Sequence, residues 1–210
     1  VVRSFLMLLV LPVDILYLII IYPFKIKCAV FFATEKWPDL IQAVTKDVEV
    51  ACISHPVFIF KNFRSKVRYI PASIFYVPAA IGLFLPKSLN LWWSNVIIYI
   101  AKKLLSHFYE CNAALVVHSD ALPFGRCLVL AANELGIKSV CIQHGNFRDC
   151  NIIREQDGFL CAQNIVRSVE DAQIIAASNE HTKIYVLPDF FKIKVGKNNR
   201  KSENLTVLLL

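Results

Sequence analysis

Polar and ionisable side chains in this sequence gather where short apolar runs stop. Glu35 follows the run 28–33, and Ser54-His55 follow 48–53. His118-Ser119-Asp120 follow 113–117, and Gln143-His144-Gly145-Asn146 follow 138–142. A carboxylate and an imidazole on neighbouring β-strands, about 5–10 Å apart, can share a substrate: the first takes a hydroxyl proton and the second faces an anionic group. Asp120 and His144 are the pair that fits, with Glu35 as a second candidate proton acceptor. Gly145 permits a tight or left-handed turn directly after its strand. The backbone N–H groups of such a turn, with Gln143, Asn146 and Arg148 beside it, can cradle a phosphate or carboxylate. Arg126, Ser119 and His55 are further candidate substrate contacts. Each residue also has a plainer reading. Asp120 can N-cap a helix opening near Pro123, with Arg126 as its ion-pair partner, and His55 can be a turn residue before Pro56. Gln143-His144-Gly145 can be an ordinary strand-to-loop turn. His118 suits a bond at the strand edge, and His107 and His181 read as surface residues.

Several chemistries lack their motifs. There is no Gly-rich phosphate loop ending in Gly-Lys-Ser/Thr, no dinucleotide-binding Gly-x-Gly-x-x-Gly turn and no Gly-x-Ser-x-Gly elbow, so Ser119 is a poor nucleophile. No Asp-x-Asp and no His/Cys/carboxylate cluster points to a metal. The seven cysteines are odd in number, scattered, and free of any Cys-x-x-Cys pair. Buried reduced thiols in a reducing compartment explain them better than disulfides or zinc. The net charge of +7 suits an anionic small molecule or an anionic lipid surface. No basic stripe interleaved with aromatics suggests nucleic acid.

The elements that must position these residues follow from periodicity. The chain is 56% hydrophobic and 19% charged over 210 residues, which excludes a disordered protein and suits one large domain. Continuous apolar runs at 28–33, 48–53, 113–117 and 138–142 predict strands buried on both faces. Further strands are expected at 158–162 and 184–187. Helices are expected at 37–46, 93–108, 123–135 (stopped by Gly136) and 165–177. Residues 61–90 read as irregular, with a basic cluster of Lys61, Arg64, Lys66 and Arg68 that suits lipid headgroups or a solvated turn. Strands alternating with helices predict an α/β fold: an open, mostly parallel Rossmann-like sheet with helices on both faces. The apolar stretch 5–22 holds one charge, Asp14, and one proline, Pro12. A membrane anchor, a helix lying in the interface or packed on the domain, and a signal peptide all fit its length. The expected organisation is an apolar helix over 1–24, a Rossmann-like domain over 25–191, a polar linker over 192–204, and a second domain beginning at 205–210 and cut short, in a chain that is a piece of a longer protein.

The stretch 115–149 resembles the N-terminal half of two-domain (GT-B type) glycosyltransferase-like proteins of bacterial capsule and lipopolysaccharide synthesis. The resemblance rests on a strand ending in Asp120, Arg126 in the first turns of the next helix, Leu135-Gly136-Ile137, and a strand ending in Gln143-His144-Gly145. It implies an acceptor-binding first domain and a second domain that holds a nucleotide-sugar donor. It implies a surface-glycan or lipid-linked acceptor, no metal and no other cofactor in the chemistry, and a place at the cytoplasmic membrane surface, peripheral or singly anchored. Two other functions stay open: a polyol-phosphate transferase using a CDP-alcohol, and a non-catalytic, membrane-associated assembly subunit.

Overall fold

Runs without polar alternation cannot face water on either side, so the strands they form must lie inside a sheet covered twice. The computed structural model describes residues 2–23, 27–34, 37–54, 67–75, 77, 90–120, 123–143 and 159–188. Its strands are β1 Cys28–Phe32, β2 Val50–Ser54, β3 Val67–Pro71, β4 Tyr109–Val117, β5 Lys138–Ile142, β6 Gln163–Val166 and β7 Lys183–Val186. They form one seven-stranded, all-parallel sheet in the order β3-β2-β1-β4-β5-β6-β7. The helices are α1 Val2–Ile21, α2 Pro38–Val44, α3 Asn90–Phe108, α4 Pro123–Glu134 and α5 Val169–Ser178.

Alternate side chains of the central strands feed two separate cores. Phe31, Ile53, Leu115, Val117 and Cys141 pack with Leu105 of α3 and Leu128 of α4 on one face. Val30, Phe32, Val116, Val140 and Ile165 pack with Leu40, Ile41 and Val44 of α2 on the other. Helix α4 stops where Gly136 takes a φ of +70°, a left-handed conformation that suits glycine. Helix α5 opens on Ser168, whose side chain accepts the Asp171 N–H at 3.2 Å.

Three expectations need correction. A strand, β3, lies in the stretch expected to be irregular; Arg68 is its exposed residue, and Lys61, Arg64 and Lys66 lie outside the described residues. Strand β4 begins at Tyr109, four residues before the apolar run. Its register against β1 slips between Cys28 and Val30, and Asn112 sits at φ 68°. This is a bulge, which polar sequence conceals and asparagine tolerates. The apolar run expected as a strand at 158–162 is buried at Phe159 and Cys161 but is not in the ladder, which starts at Gln163. Leu160, Cys161 and Ala162 donate their N–H groups to side chains instead, and α5 shifts with the strand to Val169–Ser178.

Helix α1 lies against the β3 edge of the sheet. Its Leu18 joins one core and its Tyr17 the other, and Asp14 turns inward to accept a hydrogen bond from the Ser73 hydroxyl. Among the described residues no helix is long and apolar enough to cross a membrane; the α1 side chains described run from Leu11 to Ile20. His107, expected at the surface, is half-buried: its ring stacks on Tyr22 at 3.7 Å and its Nε2 bonds the Tyr22 carbonyl at 2.7 Å. His181 is exposed.

Candidate functional site

In a doubly wound sheet the chain turns to opposite faces on leaving the two central strands, and a crevice opens at their carboxyl ends. Here the strand order reverses between β1 and β4. Helix α2, after β1, covers one face, and α4, after β4, covers the other. The carboxyl ends at this point carry Ala33-Thr34 from β1 and His118-Ser119-Asp120 from β4, with Gln143 on the adjoining β5. Asp120 and Gln143 therefore follow the last paired residues of two neighbouring parallel strands. Their side chains engage opposite ends of β6: Asp120 bonds Leu160 and Cys161, which enter it, and Gln143 bonds Arg167, which leaves it; Ser119 and Arg126 are half-buried. Glu35, His55, His144, Gly145, Asn146 and Arg148 lie outside the described residues.

Asp120 is 1% exposed. Its Oδ2 accepts the Leu160 N–H at 2.7 Å and the Cys161 N–H at 2.9 Å. These bonds tie the end of β4 to the chain entering β6, which is a different task from capping α4. Its Oδ1 is buried with no partner of hydrogen-bonding geometry, although the Cys161 thiol rests against the carboxylate. That thiol is raised well above its ordinary value by burial first, then by the neighbouring Cys141 thiol and Asp120. It stays protonated and unreactive at neutral pH.

Gln143 is also buried, and its Oε1 accepts the Arg167 N–H at 2.8 Å, joining the ends of β5 and β6. At the other end of β6, side chains hold the whole of 159–162. Asn179 Nδ2 donates to the Phe159 carbonyl at 2.7 Å, and Thr182 Oγ1 to the Cys161 carbonyl at 2.8 Å. Ser139 Oγ accepts the Ala162 N–H at 3.0 Å and donates to Asn133 at 3.1 Å. Gln143 and 159–162 are thus each held by a polar clamp.

Gly125 was not singled out from the sequence. A Cβ there would lie 1.9 Å from the Ser119 carbonyl oxygen, so only glycine lets the first turns of α4 seat directly on the end of β4. Ser139 and Asn164 were likewise missed. Their signal is a polar residue inside an apolar strand run, fully buried, which must find a partner. Among the described residues no three His, Cys, Asp or Glu side chains are grouped as metal ligands. No family model, curated protein or solved structure matches the chain.

Proposed function

We propose that this chain is the acceptor-side half of a GT-B-type glycosyltransferase, which moves a sugar from a nucleotide-sugar donor to a surface-polysaccharide or lipid-linked acceptor without a bound metal. The observation that supports this reading best is the reversal of strand order between β1 and β4 in an all-parallel sheet, the place where such folds receive ligands. The resemblance over 115–149 supplies the reaction class. In the transfer, an acceptor hydroxyl oxygen attacks the anomeric carbon while the bond from that carbon to the phosphate oxygen breaks. Glu35, directly after Thr34 at the end of β1, takes the hydroxyl proton. His144, the Gly145 turn and Arg148 face the charge growing on the departing phosphate. Asp120 is a positioning residue, because its carboxylate is buried and holds Leu160 and Cys161.

The test is sugar transfer by the full-length protein. His144→Ala lowers turnover by at least about 100-fold, the effect of losing one charge-stabilising donor, and Glu35→Gln lowers it comparably, with unfolding midpoints unchanged. Undiminished turnover in either folded variant rejects that residue's role. The backbone-holding use of Asp120 and Gln143 favours one second reading, a non-catalytic assembly subunit. Heat stabilisation of the full-length protein by a nucleotide-sugar supports the transferase. Stabilisation by a CDP-alcohol instead redirects it to polyol-phosphate transfer, and no stabilisation by any nucleotide supports the assembly subunit.

A further inference from the structure

We propose that the outer surface of α1 and the adjoining stripe of α3 form an in-plane docking face for a bilayer containing anionic phospholipid. This inference stands apart from the transferase reading and rests on polarity. Between Leu11 and Tyr22 the one charged residue is Asp14, and it points into the domain to meet Ser73. The side turned outward carries Val13, Ile15, Leu16, Ile19 and Ile20, each 45–62% exposed. At ~100° per residue these five sweep roughly 160° of the helix circumference. A helix facing water places its charges outward and its aliphatic groups inward; α1 does the reverse, which is stable where the outer solvent is hydrocarbon.

A groove of about 630 Å³ continues the surface toward α3, between Leu11, Ile15 and Ile19 on one side and Ile74, Val77 and Ile100 on the others. Beyond it, Trp92, Tyr99 and Lys103 share one face of α3 by their spacing of seven and four residues. Trp92 and Tyr99 are exposed, and Lys103 Nζ lies 5.7 Å from the Tyr99 ring centroid. At the other end Tyr22 stacks on His107, and the exposed Lys27 donates to the His107 carbonyl at 3.1 Å. Aromatic rings and lysines bordering an aliphatic surface are the pairing that settles at headgroup depth, and the cations choose an anionic leaflet. The orientation is in-plane because Tyr17 and Leu18 anchor the opposite side of α1 to the two cores, leaving only the outer arc for lipid.

Flotation of the full chain with phosphatidylcholine vesicles, with and without phosphatidylglycerol, tests the proposal. The chain floats with the anionic vesicles. Leu16→Glu/Ile20→Glu, at two outward positions, retains the wild-type circular dichroism spectrum and lowers partitioning by at least about 100-fold, through loss of two buried aliphatic groups. Lys27→Gln/Lys103→Gln lowers binding to anionic vesicles by roughly 30-fold and leaves binding to neutral vesicles unchanged. Absence of flotation, or equal flotation of a folded Leu16→Glu/Ile20→Glu chain, overturns the proposal. So does concentration-dependent self-association that this pair abolishes while no vesicle binds, because the face then serves a second copy of the chain. If the pair fails to fold, Trp92 fluorescence of a Trp37→Phe/Trp93→Phe chain with the wild-type circular dichroism spectrum decides. Quenching by lipids brominated high in the acyl chain supports docking, and no quenching rejects it.

Discussion

Asp120 receives two backbone N–H groups from residues forty and forty-one positions further along the chain, and that fact governs what its replacement does. Asp120→Ala leaves a buried donor on Cys161 and a partly buried one on Leu160 unpaired, which costs about 2–4 kcal/mol. The check is the urea midpoint, expected to fall more for Asp120→Ala than for Asp120→Asn, whose amide oxygen still accepts. Equal midpoints in all three proteins would contradict the clamp. Asp14 makes a different prediction. Burial raises its carboxyl above the ordinary 3.8, and the Ser73 hydroxyl pulls part of that back. Over the window from 3.8 up to the folded-state value, the folded chain holds a proton that the unfolded chain has released. The stability this site contributes is therefore full below 3.8 and is lost as pH rises through that window. Asp14→Asn removes the slope, so the variant gains on the wild type between acid and neutral pH. Parallel stability curves would refute it. Asp120 was legible in the sequence as a strand-end carboxylate. Its two partners were not, because a hydrogen bond across forty residues leaves no local pattern.

At the level of elements, two glycines do unlike work. A methyl group at Gly125 would meet the Ser119 backbone at 1.9 Å, and backbone cannot swing aside as a side chain can. Gly125→Ala therefore lifts the start of α4 from the end of β4 and costs ~2 kcal/mol or more. At Gly136 nothing lies within 4 Å of such a methyl, but φ is +70°, so Gly136→Ala costs only about 1 kcal/mol of backbone strain. Thermal unfolding of the two variants side by side checks the ranking, and a smaller loss at Gly125 would overturn it. Elements carried by continuous apolar runs or by helical spacing were readable: β1, β2, β5, α3 and α4. The missed ones had their signals diverted. In 159–162 Phe159 and Cys161 are buried as expected, yet the donors go to the side chains of Asp120 and Ser139 instead of the backbone carbonyls of a neighbouring strand. In β3, Arg68 interrupts the apolar run.

For the whole molecule, the order β3-β2-β1-β4-β5-β6-β7 sets a gradient of stability. Strands β1 and β4 lie centrally with a core on each face, whereas β7 is an edge strand, exposed or half-exposed throughout. Native-state hydrogen exchange is expected to be slowest in β1 and β4 and fastest in β7 among the strands; protection of β7 equal to that of β1 would refute the gradient. The α/β class was legible from the sequence because burial on both faces forces unbroken apolar strands, and helices between them force parallel pairing. The sequence also carried the strand ends, since the polar residues begin where the apolar runs stop. What it could not carry was neighbourhood. Strand order, the reversal between β1 and β4, the polar clamp on 159–162 and the inward turn of Asp14 all join residues far apart in the chain. Such contacts are chosen by packing and hydrogen-bond satisfaction over the entire domain, and only the folded structure decides among the arrangements that local pattern leaves open.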